Sequence, residues 1–372
     1  MMPDKMPIRI AVLGAGGLGK AAARIISKKH ELRLVAICDS QGIVTSAEGI
    51  DGERIAGISG DLVDGVRELA PAASSATAHR QQAASAARLP ERGGAPSLKT
   101  CDRSSDGAVC AQHCEDPIGE VIAMAGQLDA VLVALPNLPN EFIPGVLERF
   151  VRAGSSLAFV DVLKRTRAVE LLFDLDPAMR QARSVAMTGC GATPGLLAAA
   201  AVLAAQSFIE VEKVDIWWGV GIANWEAYRA TIREDIAHLP GYTVERACAM
   251  SDADVDALLE RTHGLLELRH MEHADDVLLQ RVGVVKDLGQ VEVGGVMDTR
   301  HAKKPVSTMM TLTGTTFDGK RSSHKFILGD ETTMAANVIG PALGYLKRGL
   351  WLKERGLFGV FGCTEFLPMV VR

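Results

Sequence analysis

The sequence has few aromatic residues, no long apolar run and no excess of basic residues. Aromatic residues make up 5% of its 372 residues, and its longest apolar run, 195–205, is shorter than the roughly 20 residues that cross a bilayer. The formal net charge of −5 leaves no basic excess to neutralise nucleic-acid phosphates. The first apolar stretch, Ile8 to Leu13, is typical of a strand and not of a signal peptide. We therefore predict a cytoplasmic protein that binds neither membrane nor nucleic acid.

Cysteine gives little sign of disulfides or of a metal site. The seven cysteines are an odd number in a large chain, which is typical of reduced thiols. Cys101, Cys110 and Cys114 lie near His113, but their spacing matches no zinc-finger or ribbon pattern, so we predict no metal. The surrounding segment, 70–115, has few residues to bury, and we predict an insertion or mobile excursion on the surface.

The first half of the chain alternates regularly between strand-like and helical patterns. This alternation predicts an α/β fold, a Rossmann doubly wound parallel sheet with helices on both faces. Strand-like runs separated by turn residues then predict a second α+β domain with a largely antiparallel sheet. A final helix, from Thr332 or Thr333 to about Leu346, is predicted to return with the tail to the first domain. The predicted division of the chain is therefore 1–195, 206–328 and 329–372.

Individual elements are predicted from the same pattern. A short helix is predicted within 43–58, and two longer helices over 225–238 and 252–266. An Asp318-Gly319 pair is predicted to turn a hairpin. The strands predicted in the second domain lie over 211–219, 282–287, 290–297, 307–316 and 323–327.

The strongest functional signal is a glycine turn between the first strand and the first helix. It reads Gly14-Ala15-Gly16-Gly17-Leu18-Gly19, and the following strand ends at Asp39 and Ser40. In a dinucleotide site such glycines allow a tight turn, a close approach to the pyrophosphate and close helix packing. An acid at the position of Asp39 accepts hydrogen bonds from a ribose 2′-hydroxyl. We predict bound NAD, since the Asp39 charge repels a 2′-phosphate, with NADP as the other possibility.

Later strand ends carry residues suited to the rest of the site, because ligands of open α/β sheets bind at the carboxyl ends of the strands. Leu135-Pro136-Asn137 either lines the adenosine side of the cofactor or forms a plain turn. Asp161 ends another strand and is predicted to contact the cofactor. Lys164 follows it, either as a catalytic proton donor or as a solvated residue at a helix entry.

The remaining candidates surround the substrate. A glycine-rich turn contains Gly191, predicted to contact the cofactor, and Thr193, predicted to contact the substrate; its alternative is a purely structural turn. In the second domain, Trp225 is predicted to form an aromatic wall and Tyr228 to act in catalysis. Arg229 is predicted to pair with a substrate carboxylate, or else to lie on the surface.

The chain resembles the saccharopine dehydrogenase-like oxidoreductases, a group that is itself similar to carboxynorspermidine and homoserine dehydrogenases. The resemblance implies a Rossmann domain completed by the C-terminal helix, a nicotinamide cofactor, and a substrate with an amine or imine beside a carboxylate. Thr193 departs from the acidic residue that saccharopine reductase-like relatives often carry before Pro-Gly, which argues against saccharopine itself. The resemblance covers most of the chain outside 70–115 and rests on four stretches, Gly14 to Gly19, Ala134 to Asn137, Gly189 to Gly195 and Ala335 to Ala342.

We therefore expect an NAD(P)-dependent oxidoreductase that transfers a hydride between nicotinamide and a small amino-acid-like metabolite, working as a homodimer. Two other functions stay open from the sequence. One is a cofactor-binding sensor or assembly protein without dehydrogenase activity, and the other is an enzyme that keeps NAD bound for non-redox chemistry.

Overall fold

A computed structural model describes residues 6–69, 109–136, 139–222, 228, 232–329 and 333–372. Within these residues the chain forms one sheet of eight strands and one of five. The predicted insertion over 70–115 lies outside them from residue 70 to residue 108. None of the helices described is both long and apolar enough to cross a membrane.

The larger sheet has the strand order β13-β7-β6-β5-β1-β2-β3-β4. The strands from β13 to β2 run parallel, whereas β3 and β4 add an antiparallel edge. Chain order reverses between β1 and β5, and this switch point is where ligands of open α/β sheets bind. The strands are β1 (Ile8–Leu13), β2 (Leu32–Cys38), β3 (Gly42–Thr45), β4 (Cys110–His113), β5 (Ala130–Val133), β6 (Ala158–Asp161), β7 (Val185–Thr188) and β13 (Gly359–Gly362).

Helices cover both faces of the larger sheet because its central strands are apolar on both sides. In β1, Ile10 and Val12 belong to one buried cluster, whereas Ala11 and Leu13 belong to the cluster on the opposite face. The final helix, α13 (Met334–Glu354), packs against β5, β6 and β7. The others are α1 (Gly17–Ile26), α2 (Gly52–Gly57), α3 (Leu62–Leu69), α4 (Pro117–Ala123), α5 (Phe142–Arg152), α6 (Thr166–Asp174), α7 (Asp176–Gln181), α8 (Leu196–Ala205), α9 (Ile232–Ile236), α10 (Val244–Cys248), α11 (Asp252–Arg261) and α12 (Asp275–Arg281).

The smaller sheet has the order β12-β11-β8-β10-β9 and is antiparallel except for the β8–β10 pair. Helix α8 packs against β8 and β11, and α9 lies against β9. The predicted fold class, a Rossmann-type parallel sheet with a second, largely antiparallel sheet, is confirmed. The predicted domain limits stay a prediction. The strands are β8 (Phe208–Gly221), β9 (Leu265–Leu268), β10 (Val291–Asp298), β11 (Met309–Thr316) and β12 (Arg321–Ile327).

The short helix predicted within 43–58 is α2, and it is preceded by strand β3, whose Ile43 and Val44 pair with β2. Two other element predictions are wrong, in each case because long-range packing decides the local conformation. The strand predicted over 282–287 is a turn after α12 whose valines Val284 and Val285 are buried in the core. The helix predicted over 252–266 ends at Arg261, and its last residues begin β9.

Candidate active site

A cleft lies between the carboxyl edge of the larger sheet and the smaller sheet. It holds a cavity of 430 Å³ whose walls are mostly apolar, which is within the usual size range of small-molecule sites. The predicted site residues Asn137, Trp225 and Arg229 lie outside the described residues. The predicted site residues that line the cavity are Leu18, Leu135, Pro136, Lys164, Gly191, Thr193 and Tyr228.

The glycine turn has the geometry that its sequence predicts. Gly14 has φ +101, and a Cβ there would lie 2.5 Å from Ala134 O, so a side chain does not fit. A Cβ on Gly19 would lie 1.7 Å from Gly14 O, because α1 packs directly on the turn. Gly16 and Gly17 are exposed and have no atom within 4 Å of such a Cβ. The first helical turn is therefore packed from behind and open in front, with no side chain capping its N–H groups.

Asp39 lies beside this turn at the end of β2. Gly14 N donates to Cys38 O at 3.0 Å, which ties the turn to the residue before Asp39. The Asp39 carboxylate accepts hydrogen bonds from Gln41 N at 2.8 Å and from Gly42 N at 3.0 Å. These bonds fix the carboxylate at the edge where the sequence predicts a ribose, and Ser40 beside it is exposed.

Asp161 is buried, and its carboxylate connects two strand ends by hydrogen bonds. Its side chain is 2% exposed, and its Oδ1 accepts hydrogen bonds from Leu163 N, Gly189 N and Thr188 Oγ1 at 3.0–3.1 Å. It therefore joins the end of β6 to the end of β7 and holds the segment that leads to Lys164. This geometry favours a positioning role, and its predicted contact with a cofactor stays a prediction.

The Asp161 carboxyl should make stability depend on pH. Burial raises its pKa from 3.8 to about 6, against the effect of its three hydrogen bonds. The pKa of this carboxyl is higher in the folded state than in the unfolded state. Its contribution to the free energy of unfolding is therefore full below pH 4 and is lost as the pH rises to about 6. Relative to Asp161→Asn, wild type should lose about 3 kcal/mol of unfolding free energy over this window. Urea unfolding of both proteins from pH 4 to pH 7 measures this difference, and parallel curves would contradict it.

Lys164 lies in the cleft near the buried carboxyl of Asp235 and its hydrogen-bond partner Tyr228. Burial raises the pKa of the Asp235 carboxyl, and the Lys164 charge opposes this shift. Tyr228 OH donates a hydrogen bond to the carboxylate of Asp235, a residue that is only 6% exposed. Burial lowers the pKa of His238, and the Lys164 charge lowers it further. The Lys164 charge therefore acts on two titratable groups near the cleft, Asp235 and His238.

An ion pair joins the two walls of the cleft next to Lys164. Arg165, one residue along, lies 3.3 Å from Glu234 of α9. The pair is partly exposed and contributes little to stability, but it links the loop after β6 to the helix that carries Asp235. This ion pair therefore holds the loop that carries Lys164 against the helix that carries Asp235.

Thr193 connects the glycine-rich turn to a buried histidine and aspartate. Its Oγ1 donates to Asp275 Oδ2 at 2.7 Å, and His273 Nδ1 lies 2.6 Å from the same oxygen. His273 is 4% exposed and lines the cavity, and Asp275 is 0% exposed. Ala274 N donates to Lys164 O at 2.8 Å, so this segment lies directly against the lysine.

The sequence did not identify Asp235, His238, His273 or Asp275. Asp235 and His238 stand in a charged helical stretch, where such residues usually face solvent. His273 and Asp275 are close in sequence, but no periodic pattern marks them. The fold alone brings them to Lys164.

A small cluster outside the cleft, Asp61, Asp64 and His113, has the side chains of a metal site. His113 lies 3.0 Å from Asp64 and 3.8 Å from Asp61, and these carboxylates raise its pKa. Asp61 Oδ1 also accepts a hydrogen bond from Asp64 N. Ion pairing and helix capping account for this exposed cluster.

No protein-family model matches the chain. A protein of Haloferax mediterranei named (S)-8-amino-7-oxononanoate synthase BioU is 43% identical over 363 residues, which are 97% of this chain and 99% of that protein. Two solved structures, an engineered D-amino acid dehydrogenase bound to NADP+ and the C. glutamicum DAP dehydrogenase in complex with DAP, each match with a TM-score of 0.50 and 15% identity. Each match covers 97% of this chain and 94% of the other. At this identity they show the shared fold alone.

These findings correct two predictions from the sequence. Membership of the saccharopine dehydrogenase-like family is wrong, and so is the function of an NAD(P)-dependent dehydrogenase, because the relative with 43% identity is a synthase. The physical reason is that the sequence stretches on which the resemblance rests are required by the fold and not by a particular reaction. Gly14 and Gly19, for example, are required because backbone packs where a Cβ would stand, whatever reaction follows.

Proposed function

Since this chain belongs to the family of the (S)-8-amino-7-oxononanoate synthase BioU, we propose that it binds (S)-8-amino-7-oxononanoate in the cleft and takes part in its synthesis. The relative's name supplies the ligand, an amino ketone at one end of a nine-carbon acid. The observation that carries the proposal is Lys164, an amine on the wall of a mostly apolar cavity, beside the Tyr228–Asp235 pair.

The lining of the cleft suits such a ligand. A long hydrocarbon chain with polar ends requires an apolar passage with a few polar groups. Trp218, Met271 and Met297 supply apolar walls, Lys164 stands at one polar position, and Lys304 supplies a second cation. The amino ketone is proposed to lie at Lys164, with the hydrocarbon chain along the apolar walls.

Lys164 is proposed to react with the ketone. A primary amine adds to a ketone carbon and expels the oxygen as water, which leaves an imine between the two. The reaction needs an uncharged amine and groups that accept and return protons. Asp235 is suited to accept the ammonium proton, because burial favours its protonated form, and Tyr228 holds its carboxylate in place.

The larger sheet is proposed to hold a nicotinamide dinucleotide at the glycine turn. The open space in front of Gly16 and Gly17, where no atom meets a Cβ, fits a group that approaches the backbone closely. The residues that would hold it are Gly16, Gly17 and Leu18, with Asp39 favouring NAD over NADP. The chemistry that a nicotinamide supplies when bound is hydride transfer.

Trapping the imine tests the proposed function. The protein is incubated with (S)-8-amino-7-oxononanoate, reduced with cyanoborohydride and digested for peptide mass spectrometry. We expect Lys164 to gain the mass of the ligand less one oxygen atom, because water leaves and two hydrogens are added.

The exposed Lys286 is the internal control for this experiment, since its side chain is 86% exposed and lies outside the cleft. Labelling of Lys164 and not of Lys286 supports the proposal. Equal labelling of both lysines, or an unmodified Lys164 at saturating ligand, would refute it.

The other functions weighed from the sequence find less support. A relative named as a synthase gives no support to a non-enzymatic sensor or assembly protein. Formation of a homodimer and a cytoplasmic location stay predictions.

A further inference from the structure

The pair His273 and Asp275 is buried in the wall of the cleft, at the start of α12. Burying a charged or polar pair costs free energy unless its atoms are well bonded. Among the described residues, Asp275 Oδ1 and His273 Nδ1 are buried with no hydrogen-bond partner, although Nδ1 lies 2.6 Å from Asp275 Oδ2. Buried polar atoms without partners, in a pair whose histidine lines a cavity, are typical of a functional site.

The arrangement is that of an imidazole oriented by a carboxylate. Asp275 Oδ2 faces His273 Nδ1 and is itself fixed by Thr193 Oγ1 at 2.7 Å. With Nδ1 held against the carboxylate, Nε2 is the ring nitrogen left to meet a ligand in the cavity. The carboxylate also stabilises the imidazolium when the ring takes up a proton.

His273 is also positioned with respect to Lys164. Ala274, between the two paired residues, donates its N–H to Lys164 O at 2.8 Å. Both His273 and Lys164 line the same cavity. The two residues therefore border the same cavity, next to each other along one wall.

We propose that His273 is the acid and base of the condensation at Lys164, and that Asp275 and Thr193 are its positioning residues. The inference rests on the proposed reaction of Lys164 with a ketone. When the amine adds, a C–N bond forms, the His273 imidazolium gives a proton to the ketone oxygen and the imidazole takes one from the attacking nitrogen, which leaves a hydroxyl on the carbon. The His273 imidazolium then gives a proton to this hydroxyl, the C–O bond breaks and water leaves. The nitrogen lone pair closes the C=N bond, and the iminium nitrogen returns its proton to the His273 imidazole.

Other charged groups also face this region and influence any pH profile. Lys164, Glu234 and Asp235 line the same cavity, and Asp276 lies next to the pair, with its carboxylate bonded by Thr166 Oγ1 at 3.3 Å. For this reason the test compares the pH profiles of several variants and includes a chemical rescue of the His273 side chain.

The test measures how fast the reduced adduct forms at Lys164 between pH 5.5 and pH 9. His273→Gln should slow adduct formation on the order of 100-fold and remove the fall in rate at high pH, because the proton donor is lost. Asp275→Asn should slow it on the order of 10-fold without weakening ligand binding, because the carboxylate that orients the His273 ring is lost. Exogenous imidazole should restore part of the rate in His273→Ala.

His270→Gln is the matched control, since His270 is 80% exposed and does not line the cavity. It should keep the wild-type rate and profile. If wild type forms the adduct and His273→Gln forms it equally fast, this inference is wrong while the proposed function stands. If wild type forms no adduct at all, the proposed function itself has failed. Should His273→Gln not fold, the rate of Asp275→Asn and the imidazole rescue of His273→Ala still decide.

Discussion

Replacing Lys164 with methionine is expected to slow the formation or consumption of (S)-8-amino-7-oxononanoate on the order of 10³-fold or more. Methionine keeps the length and apolar stem of lysine but has no amine to bond the ketone carbon. Because the cavity wall is otherwise unchanged, the ligand should still enter the cleft. The loss should therefore appear in the rate of the chemical step and much less in the ligand's dissociation constant.

The measurement follows the amino ketone by liquid chromatography and mass spectrometry, and ligand affinity by calorimetry. Lys286→Met is the control, because it removes the charge of an exposed lysine outside the cavity. A Lys164→Met protein with near wild-type turnover would remove this lysine from the reaction. Equal losses in Lys164→Met and Lys286→Met would indicate an effect of net charge instead.

The same variant tests where the Lys164 charge acts. In wild type this charge lowers the pKa of His238 beyond the effect of burial, and it opposes the rise in the pKa of Asp235. Removing it should move the His238 titration to higher pH, which NMR can follow. An unchanged His238 titration would show that the lysine side chain points away from this group.

The sequence predicts those parts of the site that depend on contacts between residues close together along the chain, and it misses those that depend on distant segments. The glycine turn is set by contacts within a few residues, such as the approach of Gly19 to Gly14 O, so its pattern is visible in the sequence. Lys164 was found because it follows a strand end directly. His273 reaches Lys164 only through packing between segments more than a hundred residues apart, and no local pattern records that contact.

Asp161 shows a second limit of sequence reasoning. An acid at a strand end is typical of ligand contact in this fold, yet here its Oδ1 bonds the neighbouring strand end through Thr188 and Gly189. The short strand β13, four residues with glycine at both ends, escaped prediction because it is held by pairing with β7 and has no pattern of its own. The predicted reaction, hydride transfer by a dehydrogenase, was also wrong. The sequence patterns on which it was based reflect the fold and do not identify the reaction.

Substituting two glycines of the same turn should separate folding from dinucleotide binding. Gly19→Ala is expected to prevent folding or to cost several kcal/mol, because its Cβ would lie 1.7 Å from Gly14 O and only backbone movement relieves the clash. Gly16→Asp should fold as well as wild type. Gly16 is the N-cap of α1 with extended dihedral angles, a position where aspartate is favourable.

Gly16→Asp should nevertheless weaken NADH binding on the order of 100-fold or more, because its carboxylate would stand where the phosphates approach. Gly126→Asp is the control, since Gly126 is also exposed with open space around it and lies outside the cleft. Thermal unfolding reports folding, and fluorescence titration with NADH and NADPH reports binding, with NADH expected to bind wild type more tightly because of Asp39. If Gly16→Asp binds NADH as wild type does, the dinucleotide does not approach this turn, whereas tighter NADPH than NADH would mean that Asp39 does not face the ribose.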